Sequence, residues 1–226
     1  MGPRAFVSWS SGKDSAFAVW EARQKGLAQI VGVVTTVNEK YDRVAMHGVR
    51  AELLDRQIAA LGLPAIKVLI PSPCPNEIYE SRMAAACSQI KAQGIDHMLF
   101  GDLFLEDIRA YREKNLAAVA MTPIFPLWLR DTAQLARDMI ASGLVAHLAC
   151  IDPKKLDASF AGRCFDQSLL DDLPPGVDPC GENGEFHTVV TAGPMFAAPI
   201  DVSVGVTVAR DNFVFTDIVA GEARHA

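Results

Sequence analysis

Residues 8–18 read Ser-Trp-Ser-Ser-Gly-Lys-Asp-Ser-Ala-Phe-Ala, and the fold follows from how this stretch is flanked. Before it, residues 4–9 (Arg-Ala-Phe-Val-Ser-Trp) form a short apolar run suited to a buried strand. After it, Phe17, Ala18, Trp20 and Ala22 recur at helical spacing until Gly26, a good helix stop. A turn of small residues between a strand and a helix presents several backbone N–H groups to one point. The helix N-terminus adds partial positive charge, so an anion is favoured there. Ser10, Ser11 and Ser15 supply hydroxyl donors, Gly12 permits close backbone approach, and Lys13 supplies a cation. Asp14 is placed to cap the helix or to hold a metal ion. The loop is not a Walker A motif, because GxxxxGK[ST] needs an earlier glycine that is missing here.

Working outward, residues 30–37 (Ile-Val-Gly-Val-Val-Thr-Thr-Val) form a β-branched run of the kind buried on both faces in a parallel sheet. The pattern then predicts a helix over 48–61, a strand at 66–70, a helix over 76–93 and a strand at 96–101. Helices at 107–120 and 131–142 and a strand at 144–151 continue the alternation. Strands and helices in turn, with glycine stops, predict an α/β fold with an open parallel sheet of Rossmann type. Beyond 152 the pattern weakens, Pro, Gly and Asp cluster at 171–184, and residues 186–218 alternate like short antiparallel strands. Residues 1–150 are therefore expected to form a nucleotide-binding core and 151–226 a smaller C-terminal α+β cap.

Half of the 226 residues are hydrophobic and the formal net charge is -6. That is enough apolar material for a packed core, and the acidic balance argues against bulk binding of nucleic acid. No apolar run reaches membrane-spanning length, and residues 1–30 lack the pattern of a secretory leader. Cys74, Cys87, Cys150, Cys164 and Cys180 are odd in number and lack CxxC spacing. They read as reduced thiols of a cytoplasmic protein that does not engage a membrane.

Three further blocks carry candidate chemistry. The first, Gly101 to Glu113, reads GDLFLEDIRAYRE and starts at the carboxyl end of a strand, where open α/β sheets place ligands. Asp102, Glu106 and Asp107 can carry Mg²⁺, and Arg109 and Arg112 can neutralise phosphate. Ion pairs along a surface helix explain the same residues equally simply. In the second, Leu156 to Asp166 (LDASFAGRCFD), Arg163 is either an anion clamp or a structural arginine. In the third, Gly181 to Thr188 (GENGEFHT), Glu182 and Glu185 flank an Asn-Gly turn that can hold an amine, ammonia or a metal, or can be a plain hairpin turn. His47 and His187 are candidate proton carriers.

The loop Ser10-Ser11-Gly12-Lys13-Asp14-Ser15 resembles the SGGxDS signature of PP-loop ATP pyrophosphatases, whose sheet is HUP-like. Ser11 stands where that family usually has glycine. If the position needs a positive φ, serine there costs about 1–2 kcal/mol. Together with the other blocks and Phe125–Trp128 (FPLW), the loop is similar to the diphthine–ammonia ligase family over nearly the whole chain, GENGEFHT lying close to that family's GEGGEFET.

The resemblance implies an ATP-dependent, AMP- and pyrophosphate-forming ligase that adenylates a carboxylate and then transfers ammonia. It implies nucleotide binding by Ser10, Ser11, Gly12, Lys13, Asp14, Ser15, Gly101, Asp102, Arg109, Arg112 and Arg163. Catalytic roles fall to Lys13, Asp14, Glu182 and Glu185, with Mg²⁺ on Asp14 and Asp102. The partners implied are ATP, ammonia and a carboxylate-bearing substrate, a small molecule or a protein side chain, with a homodimer left open. The competing readings are an adenine-nucleotide-binding sensor and a PP-loop RNA-modifying enzyme.

Overall fold

In the computed structural model, which describes residues 2–44 and 48–221, ten strands and six α-helices follow one another along the chain. The first part holds β1 (Arg4–Ser8), α1 (Lys13–Gln24), β2 (Gln29–Asn38), β3 (Arg43–Val44), α2 (Ala51–Leu61), β4 (Ala65–Ile70) and α3 (Asn76–Lys91). Next come β5 (His97–Leu99), α4 (Glu106–Ala118), β6 (Thr122–Ile124) and α5 (Thr132–Ala141). The remainder holds β7 (Val145–Ile151), α6 (Gln167–Asp172), β8 (Phe186–Ala192), β9 (Val202–Arg210) and β10 (Phe213–Ala220). They divide into two compact units, and the chain passes between them more than once.

One unit comprises Met1–Ser10, Asp14–Ala45 and Leu63–Arg130. Its strands β4, β2, β1, β5 and β6 lie side by side in that order, all parallel. The short β3 adds an antiparallel pairing at the end of β2. The apolar run of β2 explains its central place: Val33, Val34 and Val37 are buried. Phe6 of β1, Val34 of β2, Val68 of β4, Ile90 of α3 and Met98 of β5 meet in one core cluster. From β1 the chain builds outward through β2 and β4, then returns to the other flank of β1 for β5 and β6. The order therefore reverses beside β1, and ligands of such sheets bind at the carboxyl ends of the strands at that reversal. The open parallel α/β fold expected from the sequence is the fold observed.

The second unit comprises Ser11–Lys13, Met46–Gly62 and Asp131–Ala226. It is α+β, with an antiparallel sheet in the order β8-β7-β10-β9 flanked by helical segments. Asp131 caps α5 by accepting a hydrogen bond from Gln134 N–H at 2.7 Å. The strand at 144–151, read as continuing the parallel alternation, belongs here as β7 and pairs antiparallel with β8 and β10. Its apolar run reflects burial, Ala146, Leu148, Ala149, Cys150 and Ile151 all being buried, and burial does not specify strand direction. The alternating tail forms β8, β9 and β10, as its pattern suggests.

Candidate functional site

In the parallel-sheet unit, Ser10, Asp14 and Ser15 sit where β1 gives way to α1. Ser10 Oγ and Ser15 Oγ lie 3.1 Å apart, and Ser10 N–H donates to Ser15 Oγ at 3.4 Å. Gly101, just past β5, explains itself by contact. A Cβ there would stand 2.7 Å from the backbone carbon of Asp14 and 2.7 Å from the backbone nitrogen of Ser15. Only glycine lets the chain after β5 approach the first turn of α1 so closely.

Asp102 follows. Its Oδ2 is buried without a hydrogen bond, and Arg112 Nε, likewise buried and unbonded, stands 3.6 Å away. That distance permits an ion pair but not a hydrogen bond. Burial raises the Asp102 carboxyl above its ordinary value; the Arg112 charge opposes the rise, and the Asp14 charge adds to it. The Arg112 guanidinium also lies over the Phe100 ring at 5.0 Å. Arg109 is differently engaged. It stacks on Phe125 and Trp128 at 4.9 and 4.6 Å and donates to Glu113 at 2.7 Å. The FPLW segment thus supplies rings that hold Arg109 in place. Glu106 and Asp107 are exposed in the first turn of α4.

The middle of the loop, Ser11–Lys13, is part of the α+β unit. Ser11 has φ 70, the left-handed region that its place in the signature made a question. Its carbonyl accepts from Val190 N–H at 2.9 Å and from Gln57 Nε2 at 3.1 Å. Lys13 N–H donates to Thr188 Oγ1 at 3.1 Å. The Lys13 side chain is 1% exposed: its ammonium donates to the Cys180 carbonyl and lies over the rings of Phe165 and Phe186 at 5.4 and 5.5 Å. The cation expected to face phosphate is therefore held by a carbonyl and two aromatic faces.

The Gly181–Thr188 block is a self-bonded turn leading into β8. Buried Glu185 accepts through Oε1 from Asp178 N–H at 3.0 Å and Asn183 Nδ2 at 3.2 Å; its Oε2 is buried without a hydrogen bond. Asp178 Oδ2 accepts from Glu182 N–H at 2.9 Å. Gly184 takes φ 80, and Lys155 donates to the Asn183 carbonyl at 2.6 Å. Glu182 is half-buried. Arg163 pairs with Asp172 at 2.7 Å and lies over Phe160 at 5.0 Å. His187 lies on β8 opposite Cys150, whereas His47 lies outside the described residues. All five cysteines are free thiols, and burial pushes Cys150 up to about 12.

The fold therefore groups the expected residues in two sets. Ser10, Asp14, Ser15, Gly101, Asp102 and Arg112 gather at the carboxyl ends of β1 and β5. Ser11 and Lys13 join the Asp178–Val190 segment. Sequence reasoning missed Gln57, Asp178 and Thr188. Gln57 had one visible signal, being the polar residue on the buried face of α2 that otherwise carries Ala51, Leu53, Leu54 and Leu61. Among the described residues, no group of three or more His, Cys, Asp or Glu side chains is arranged to hold a metal ion. No described helix is long and apolar enough to cross a membrane.

An open parallel sheet whose strand order reverses beside β1, joined in one chain to a smaller antiparallel α+β unit, defines an α/β protein of HUP type. Residues 3–122 match the profile of the diphthamide synthase N-terminal domain, and residues 131–219 that of the diphthamide synthase C-terminal domain. The chain belongs to the diphthamide synthase family. It is 26% identical to diphthine–ammonia ligase of Danio rerio, across 92% of this chain and 90% of that protein. The diphthine–ammonia ligases of Rattus norvegicus and Homo sapiens are 31% and 32% identical. Those matches span 48% and 43% of this chain and 44% and 39% of theirs.

Proposed function

We propose that this protein is an ATP-dependent ligase that activates a carboxylate as its adenylate and converts it to an amide with ammonia. The observation that carries the reading is the loop itself. Ser11 holds a left-handed backbone, and Gly101 packs onto Asp14 and Ser15 at the end of β5. Such a turn, opening a helix at the reversal of the sheet, is suited to polyphosphate. The name shared by the relatives supports diphthine as the carboxylate and ammonia as the amine.

Backbone N–H groups of Ser10–Ser15 and the α1 N-terminus bind the phosphates in this reading, with the Ser10 and Ser15 hydroxyls as further donors. Lys13 contributes positive charge to the same loop while its ammonium remains on the Cys180 carbonyl. Arg112 offsets negative charge at the α-phosphate and on departing pyrophosphate. Arg109 and Arg163 keep their ion pairs and hold the shape of their own segments.

Asp14 and Asp102 fit a divalent cation, because Asp102 has a buried unbonded oxygen and feels the Asp14 charge. Two carboxylates suit an ion that keeps water and phosphate oxygens in its shell. Magnesium held there by Asp14 and Asp102 would supply positive charge that stabilises the charge building up on the phosphates.

A substrate carboxylate oxygen attacks the α-phosphorus, the bond to the bridging oxygen breaks, and pyrophosphate departs with the electron pair. Ammonia then attacks the acyl carbon, AMP leaves, and the surplus proton passes to a carboxylate, for which Glu182 is the candidate. Exchange of labelled pyrophosphate into ATP, dependent on added diphthine-bearing protein, tests the first half. Ammonium-dependent AMP and amide formation tests the second. ATP binding without substrate-dependent exchange would replace the ligase with a nucleotide sensor.

A further inference from the structure

Gln57 is fully buried in α2, at a place on the apolar face where leucine would pack. Burying an amide there is costly unless it is bonded. Its Nε2 donates both to the Ser11 carbonyl at 3.1 Å and to the Val190 carbonyl at 2.7 Å, and Val190 N–H donates to the same Ser11 carbonyl at 2.9 Å. Two donors thus converge on the carbonyl of the one loop residue that is not glycine yet has positive φ. In a planar trans peptide the carbonyl and the following N–H point in opposite directions. Fixing the Ser11 carbonyl therefore fixes the direction of the Gly12 N–H.

We propose that Gln57 is a positioning residue that, with Val190, sets the Ser11–Gly12 peptide plane and holds Ser11 left-handed, so that the loop is preorganised for phosphate. The inference rests on the reading that this loop binds ATP. It also gives the strain at Ser11 a physical counterpart, since such a conformation persists only where its surroundings over-determine it. Gln57 touches no reacting atom in this scheme and acts through the loop.

The test uses Gln57→Met, which keeps length and volume but removes the donor, Ser11→Gly, which takes positive φ without strain, and the double variant. In the full-length protein, Gln57→Met is expected to move the Gly12 amide resonance and to weaken ATP binding about tenfold. The double variant should recover most of that loss, because glycine needs no clamp. Without nucleotide, the stabilities of the three variants and the wild type should be non-additive. An unmoved Gly12 resonance, additive stabilities, or unchanged ATP affinity in Gln57→Met would each overturn the proposal. Wild-type protein with no affinity for ATP would sink the ligase reading, whereas the nucleotide-free cycle still decides whether Gln57 holds Ser11.

Discussion

The corner after β5 half-buries a carboxylate and the turn before β8 buries one, and they treat it differently. Glu185 is tied by two donors from its own turn, Asp178 N–H and Asn183 Nδ2, and Asp178 in turn fastens Glu182 N–H. Asp102 has no such frame: its Oδ2 is unbonded, Arg112 stands at 3.6 Å, and burial raises its pKa. A carboxylate anchored by its own loop, as Glu185 is through Oε1, keeps a backbone shape even though its other oxygen is unbonded. One that is half-buried beside a second acid, with a cation just out of hydrogen-bond reach, is in an environment that an incoming charge can change. The first corner is thus the better place to look for ligand-coupled electrostatics, and the second for a rigid support.

The largest effect on stability is expected at Glu185. Replacing it with alanine leaves the buried Asp178 N–H without its acceptor, which costs about 1–3 kcal/mol. Denaturant unfolding with an unchanged m-value would register that loss, and ATP affinity should change little. Stability equal to wild type would break the contrast, because the turn would then not depend on its own acid.

Asp102→Asn should act with the opposite sign. Below the ordinary carboxylate range, Asp102 is protonated in folded and unfolded chains alike. As pH rises from the ordinary carboxylate value toward the raised folded one, the unfolded chain ionises first, so the wild type loses stability relative to the variant, and the difference levels off above the folded value. The difference in unfolding free energy, followed from about pH 4 to pH 8, should therefore grow in favour of Asp102→Asn. The same variant should bind MgATP less well. A gap that shrinks as pH rises would mean that the Arg112 charge outweighs burial, and Asp102 would be a structural ion pair.

Ser11→Gly is a smaller change, expected to stabilise the nucleotide-free protein by about 1 kcal/mol by relieving a left-handed serine. A lowered melting temperature would show that the Ser11 side chain, fully buried, contributes packing that exceeds its strain. The signature already posed this question, since serine occupied a glycine position. Much of the parallel sheet was equally legible: continuous apolar runs and glycine stops marked β1, β2, β4, β5 and their helices. β6 was not, because three residues containing Pro123 carry almost no periodic signal. The direction of β7 and the partners of Lys13 were hidden for another reason. Phe165, Phe186 and Cys180 lie more than 150 positions along the chain from Lys13, and spacing rules describe only neighbours within one element.

Glu182→Gln should have the smallest effect on the fold, within about 0.5 kcal/mol of wild type. The bond that Asp178 makes here goes to the Glu182 backbone N–H, which the substitution retains. The side chain is half-buried, in a turn already fixed by Glu185 and Gly184. Any large consequence must then be chemical. If Glu182 receives the proton that ammonia sheds as it attacks the adenylate, the neutral amide cannot replace it. Pyrophosphate exchange into ATP should persist in Glu182→Gln, while amide formation falls. The loss should not be recovered by raising ATP, because it lies after nucleotide binding. Equal loss of exchange and amide formation would assign Glu182 to the adenylation half of the reaction. Full activity with an unchanged fold would reduce the turn to a scaffold, leaving Asp14, Asp102 and Arg112 to carry the chemistry.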